Sequence, residues 1–285
     1  MAAEIIKGKP VADEIREEIK KETQRLKDKG VDPKLAVVLV GDDPASVVYA
    51  RSKEKVGDKL GVTVDLTVLA TDTPENDVLD LIKKLNDDSS VHGILVELPL
   101  PKQIRKEQVM LTVHHNKDVD GISPINRGFL LGGQEDLALV PATPMSCIEL
   151  MERAGITIRG KRVVLVGRGD TVGRPLASLL IKRDATITVC HTKTVDLPSV
   201  TRQAEVLVAA AGRRGLVTAD MVSEGTVVID AGINQTENGI TGDVDFEAVK
   251  EKAAAITPVP GGVGSLTTTI IMNNVLKAIR LQGLL

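Results

Sequence analysis

Aromatic residues are almost missing from this chain, which has one Tyr, two Phe and no Trp in 285 residues. The core must therefore be aliphatic, and there is no material for a platform that stacks single-stranded nucleic acid. Cysteine is as scarce: Cys147 and Cys190 stand far apart and form no Cys-x-x-Cys pair. That speaks against a disulfide framework and fits a reducing compartment. No apolar run approaches the length of a membrane span, and the N-terminus meets Glu4 and turns amphipathic without a secretory core, so a cytoplasmic protein is expected. An excess of one charge is also lacking: 36 Lys and Arg face 39 Asp and Glu, for a net charge of −3. Neither nucleic acid nor an anionic membrane is implied as a partner. Metal-ligand spacing is missing too. His114 and His115 are adjacent, so they do not share a face, and the stretch to Asp120 is expected to be a polar loop without metal.

What is present is alternation. Pro10 to Lys29 carries Val11, Ile15, Ile19 and Leu26 amid dense charge and stops at Gly30, as an amphipathic helix does. The continuous apolar run Leu35–Val40 and the stretches Val62–Leu69 and Gly93–Leu98 read as strands, with helices between them starting at Asp43-Pro44 and Thr73-Pro74. A helix from Thr143 to about Ala154 connects to a second series of strands: Val163–Gly167, Thr186–Cys190, Val206–Ala210, Thr226–Asp230 and Ala255–Thr257. Strand–helix alternation predicts parallel β-α-β construction. We expect two α/β domains with a cleft between them. The first covers residues 1–143 plus a returning C-terminal helix within 265–285, and residues 144–264 form a Rossmann-like parallel sheet.

The first candidate site lies just past the strand that ends at Val40. Tyr49, the only tyrosine, and Lys53 stand four residues apart and share a helix face. A phenol beside an ammonium can exchange protons, and strand ends of open α/β sheets bind ligands. The plain alternative is a surface lysine over a half-buried ring. Glu97 closes the third strand in an apolar context, either exposed at its tip or paired with a cation such as Lys53. Asp120, before Gly121, is a positioned acceptor for an N–H-rich ligand or an ordinary turn residue.

The second candidate site is the strand-to-helix turn G-R-G-D-T-V-G-R-P, from Gly167 to Pro175. Its free amides can bind a pyrophosphate, although Gly173 comes one residue later than in G-x-G-x-x-G. The following strand ends in Cys190-His191-Thr192-Lys193, without the acid that an NAD ribose needs. Arg168, His191, Thr192 and Lys193 suit a 2′-phosphate instead, or Lys193 is merely solvated. Further on, Pro258 to Gly264 is too rich in glycine and proline for regular structure and allows backbone to approach a ligand closely.

Five stretches in this order resemble the bifunctional methylenetetrahydrofolate dehydrogenase/cyclohydrolase family: V-G-D-D-P-A-S-x-x-Y-x-x-x-K, G-I-L-V-E-L-P-L-P, K-D-V-D-G, V-G-R-G-D-T-V-G-R-P and T-P-V-P-G-G-V-G. The resemblance covers nearly the whole chain. It implies that Lys53, with Tyr49 and Glu97, is catalytic and that Asp120 binds the pterin. Val96, Leu98 and the loop Pro260, Gly261, Gly262, Val263, Gly264 would complete the folate site. Gly167, Arg168, Gly169, Val172, Gly173, His191, Thr192 and Ile233 would bind NADP. It further implies a homodimer. The implied chemistry is hydride transfer from 5,10-methylenetetrahydrofolate to NADP, then hydrolysis of the methenyl product to 10-formyltetrahydrofolate.

Three positions depart from the family pattern: Glu97 replaces a glutamine, Ala142 a cysteine, and Ser265 a proline, where it is expected to cap the last helix. Only Glu97 bears on activity, and it opens the alternative of a monofunctional dehydrogenase with weak cyclohydrolase. A short-chain dehydrogenase is excluded by chain order, because there the Tyr-x-x-x-Lys pair follows the glycine turn. A non-catalytic nucleotide sensor is disfavoured by the presence of Lys53.

Overall fold

The computed structural model describes residues 3–237 and 239–284, apart from the side chain of Ala45. In chain order it begins with β1 (Glu4–Ile5), α1 (Gly8–Asp28), β2 (Lys34–Val40), α2 (Pro44–Leu60), β3 (Thr63–Leu69), α3 (Glu75–Asp87) and β4 (Gly93–Val96). Short helices α4 (Lys106–Thr112) and α5 (Pro124–Leu131) precede α6 (Ala142–Arg153). Then come β5 (Arg162–Val166), α7 (Gly173–Lys182), β6 (Thr186–Cys190), α8 (Leu197–Thr201), β7 (Val206–Ala209) and β8 (Val227–Asp230). A hairpin of β9 (Asn234–Thr236) and β10 (Gly239–Thr241), α9 (Phe246–Val249), β11 (Ala255–Ile256) and α10 (Thr267–Leu281) complete the order. No helix among the described residues is long and apolar enough to cross a membrane.

The chain forms two units, one of Glu14–Val140 with Thr268–Leu285 and the other of Met1–Asp13 with Pro141–Thr267. The first holds a parallel three-stranded sheet in the order β3-β2-β4, with Val38 paired to Thr67 on one side and to Val96 on the other. β2 is buried from Leu35 to Val40, as a central strand covered on both faces must be. Val38, Val40, Ile82, Ile94 and Val96 share one aliphatic cluster. The chain leaves β2 for β3 on one side and returns to β4 on the other, so the carboxyl end of β2 is a topological switch point. α10 returns to this unit, as the sequence suggests: Asn274 donates to the carbonyls of Val119 and Val140, both at 2.8 Å. A Cβ on Gly93 would lie 2.5 Å from Val119 and 3.2 Å from Val275, so only glycine lets both segments close on β4.

The second unit contains a parallel six-stranded sheet in the order β1-β11-β8-β7-β5-β6. Its order reverses at β5, from which the chain passes to β6 on one side and then to β7 on the other. This is the doubly wound pattern with its crevice outside the β5 and β7 ends. Patterning places residues 1–13 in the first domain, whereas here they group with this unit and Glu4–Ile5 join its sheet. β1 pairs with β11 through Glu4↔Ala255 and Ile5↔Ile256, and the Ala3 amide donates to the Lys250 carbonyl. A two-residue strand carries no periodicity from which a boundary could be read. Ser265 is also placed differently. It lies in a 3-10 turn, Val263–Ser265, ahead of α10, and its hydroxyl makes no capping bond among the described contacts.

Candidate active site

The helix that carries the first cluster starts by capping. Asp43 accepts from the Ser46 amide at 2.9 Å, and Pro44 takes the first helical position. One turn on, Tyr49 and Lys53 stand on one face of α2. The Lys53 ammonium stands 3.8 Å from the centre of the Tyr49 ring, over its face, so the contact is cation–π and does not run through the phenol oxygen. Lys53 is only 1% exposed and Tyr49 54% exposed, so the ring roofs the lysine. Glu97 reaches the same nitrogen: Oε1 lies 2.7 Å from Nζ. The alignment is off the hydrogen-bond axis, and neither Nζ nor Oε1 has a hydrogen-bond partner. The Glu97 amide donates to the Val38 carbonyl at 2.9 Å, which holds the carboxylate at the β2 end. In front of this trio is a cavity of about 300 Å³ lined by Gly41, Asp43, Tyr49, Thr71 and Glu97.

Asp120 is aimed by its neighbours. Ile94 donates to the Lys117 carbonyl at 2.6 Å, laying this segment along β4. Lys117 then donates to the carbonyls of Leu85, Asn86 and Asp88, while buried Asp118 accepts from the Ser123 amide and from Asn126 Nδ2. Asp120 is left half-buried and close enough to Glu97 and Lys53 to feel their charges. Burial, with the carboxylates of Asp118 and Glu97, pushes its pKa up to about 7. A carboxyl that holds its proton near neutrality can both donate to and accept from a ligand. Val96, by contrast, is 4% exposed and can offer only backbone, while Leu98 is half-buried beside the cavity.

In the other unit, a cavity of about 370 Å³ opens at the β5, β6 and β7 ends, lined by Gly167, Arg168, Gly169, His191, Thr192 and Arg213, among others. Close packing dictates its glycines. A Cβ on Gly167 would lie 2.1 Å from the Ala210 carbonyl oxygen, and one on Gly173 2.4 Å from that of Gly167. Gly169 has open space where its side chain would be, so its backbone can face a phosphate directly. Val172 is half-buried as the residue before α7, and Ile233 is 58% exposed after β8. The turn after β6 closes on itself, with the His191 amide donating to Thr194 Oγ1 at 2.8 Å and the Lys193 amide to His191 Nδ1 at 3.1 Å. No acid stands there. The amides, the glycine cradle and two arginines fit a phosphorylated dinucleotide.

Residues 6–120 match the model of the tetrahydrofolate dehydrogenase/cyclohydrolase catalytic domain, and residues 141–283 that of its NAD(P)-binding domain. The chain belongs to the tetrahydrofolate dehydrogenase/cyclohydrolase family. The bifunctional protein FolD 2 of Desulfitobacterium hafniense is 59% identical over 98% of each chain. The crystal structure of the bifunctional methylenetetrahydrofolate dehydrogenase/cyclohydrolase FolD from Campylobacter jejuni superposes with a TM-score of 0.96, at 44% identity and full coverage of both chains. The Trypanosoma brucei FolD structure, complexed with NADP cofactor and inhibitor, gives 0.92 at 34% identity over 99% of each.

For this member of the tetrahydrofolate dehydrogenase/cyclohydrolase family, Tyr49, Lys53, Glu97 and Asp120 come together in one unit. Pro260, Gly261, Gly262, Val263 and Gly264 fall in the unit that carries the nucleotide cavity, with Val263 1% exposed and Pro260 and Gly261 exposed. Sequence reasoning missed Asp118, Asn126, Asp230, Arg213 and Asp243. Asp230 and Asp243 are buried carboxylates that accept only backbone or amide N–H groups in their described bonds. The signal for Asp230 was an acid ending an apolar strand. For Asp243 it was an acid directly after a glycine.

Proposed function

We propose that this chain oxidises 5,10-methylenetetrahydrofolate to the methenyl form and hydrolyses that product to 10-formyltetrahydrofolate. The observation that carries the reading is the buried Lys53 ammonium, held between the Tyr49 ring and Glu97 at a switch point. NADP, when bound, supplies the hydride acceptor. The Gly167–Gly169 amides and Arg168 would hold its phosphates. Asp120, protonated near neutrality, pairs with the donor and acceptor edge of the pterin and orients it. In hydrolysis, water adds to the carbon between N5 and N10, and the bond from that carbon to N5 breaks. Both protons leave the adding oxygen as it becomes the formyl carbonyl, one arriving at N5 and the other passing to solvent. Lys53 Nζ carries the proton to N5, while Glu97 at 2.7 Å holds the ammonium as an ion pair. Tyr49 covers the lysine and limits its access to solvent. The curated relatives of the chain are named bifunctional, which supports both steps over the dehydrogenase alone.

A spectroscopic assay with both folate forms and both nucleotides tests the reading. Reduction of NADP+ in preference to NAD+, together with methenyl decay above the uncatalysed rate, is expected. Higher efficiency with NAD+ would overturn the interpretation of His191-Thr192-Lys193. The assembly is a homodimer and the compartment the cytoplasm on the same family reading; light scattering that finds a monomer would overturn the first.

A further inference from the structure

The nucleotide cavity is flanked by two arginines from different strand ends. Arg168 belongs to the turn after β5, and Arg213 to the loop after β7. Both are exposed, and neither has an ion-pair partner in the described residues. Elsewhere on this chain, arginines such as Arg105, Arg153 and Arg183 are engaged by Glu75, Glu149 and Glu152. Two unpaired guanidinium groups converging on one cavity leave a positive potential there for an anion to satisfy.

The loop bearing Arg213 is built to be rigid. One buried carboxylate, Asp243, accepts from three consecutive amides: Ala211 at 2.6 Å, Gly212 at 2.8 Å and Arg213 itself at 2.7 Å. Asn234 Nδ2 donates to the same carboxylate at 2.9 Å, tying in the segment after β8. A Cβ on Gly232 would stand 2.2 Å from that carboxyl carbon, so the clasp leaves no space for another side chain. The backbone of Arg213 is thus held before any ligand arrives, and little ordering entropy remains to oppose binding.

We propose that Arg213 is a further specificity-determining residue, contacting the 2′-phosphate of the nucleotide together with Arg168. The assignment rests on the NADP reading above. A guanidinium can meet a phosphate with two parallel N–H donors, whereas a ribose hydroxyl gives it nothing comparable. Arg214, the next residue, does not line the cavity and serves as the control.

The test is calorimetric titration of the full chain with NADP+, NAD+ and 2′,5′-ADP, the last probing the phosphate end without nicotinamide. For Arg213→Ala, NADP+ and 2′,5′-ADP should bind roughly tenfold more weakly, as for loss of one charge-assisted contact. NAD+ should be unchanged, and Arg213→Lys should keep part of the affinity. Arg214→Ala should bind all three as the wild type does. Equal losses for NADP+ and NAD+, no loss for either, or the same selective loss in Arg214→Ala would overturn the assignment. A wild-type chain that binds neither NADP+ nor 2′,5′-ADP would overturn the nucleotide reading itself, which is a distinguishable failure.

Discussion

Glu97 presents Oε1 to the Lys53 ammonium at 2.7 Å, in a contact that neither atom completes as a hydrogen bond. The pair is therefore held by charge more than by alignment, in a site where Lys53 is almost wholly removed from water. An ion pair under a ring, with hydrogen-bonding capacity left over on both partners, is suited to exchange protons with a third group. It is also sensitive to the loss of either member.

Lys53→Met should lower methenyl hydrolysis by at least about a hundredfold, the usual scale for losing a general acid–base group. The same variant strands the Glu97 carboxylate, and its melting temperature should fall. Lys53→Met/Glu97→Gln should regain the stability without regaining hydrolysis. Methenyl decay and thermal melts of the two proteins separate chemistry from folding; hydrolysis at the wild-type rate in either would remove Lys53 from the mechanism.

Glu97→Gln keeps the shape and deletes the anion beside Lys53. With the counter-ion gone, hydrolysis near neutrality should rise several-fold while dehydrogenase activity stays within about twofold. Asp120 should also titrate lower, because the Glu97 charge is one of the causes that raise it. Matching hydrolysis profiles across pH for variant and wild type would show that Glu97 does not control the lysine.

Asp120→Asn should stabilise the chain in a pH-dependent way. The native pKa of about 7 stands above the ordinary carboxyl value of 3.8, so the folded state holds this proton more tightly than the unfolded one. Below about pH 4 both states are protonated and the position is neutral to stability. As pH rises the unfolded state ionises first, and the penalty is complete above about pH 7, at most about 4 kcal/mol. Asparagine escapes that penalty. Melting temperatures should therefore favour the variant at about pH 8 and converge at about pH 4, while folate turnover falls. A constant offset at both pH values would contradict this.

Gly232→Ala should be among the more damaging substitutions of a small residue. Its Cβ would meet the Asp243 carboxylate at 2.2–2.7 Å, and that carboxylate cannot move without releasing three amides. Overpacking of this kind costs about 1–3 kcal/mol. Denaturant unfolding should show the loss, accompanied by weaker nucleotide binding; wild-type stability would mean the clasp is looser than it looks.

Much of the fold was legible because its signals are local. Asp43-Pro44 announces α2 by the chemistry of a helix start, and Tyr49 and Lys53 share a face because the α-helix repeats every 3.6 residues. The unbroken apolar run of β2 requires a strand covered on both faces. The missing acid after Cys190 was visible as composition alone.

The amino-acid sequence by itself thus determined the element types, the parallel α/β class, the glycine turn and the face that presents Lys53, all of which depend on neighbours within a turn or a strand. Only the tertiary structure decided that β1 joins β11, that the lysine nitrogen lies over the tyrosine ring, and that Asp120 keeps its proton to about pH 7. It also brought Arg213 to the cavity of Arg168 on a loop that Asp243 clasps from thirty residues away. These are consequences of which strands lie side by side and of how far water is excluded between them. Desolvation and charge act through space, and no periodicity along the chain encodes that distance.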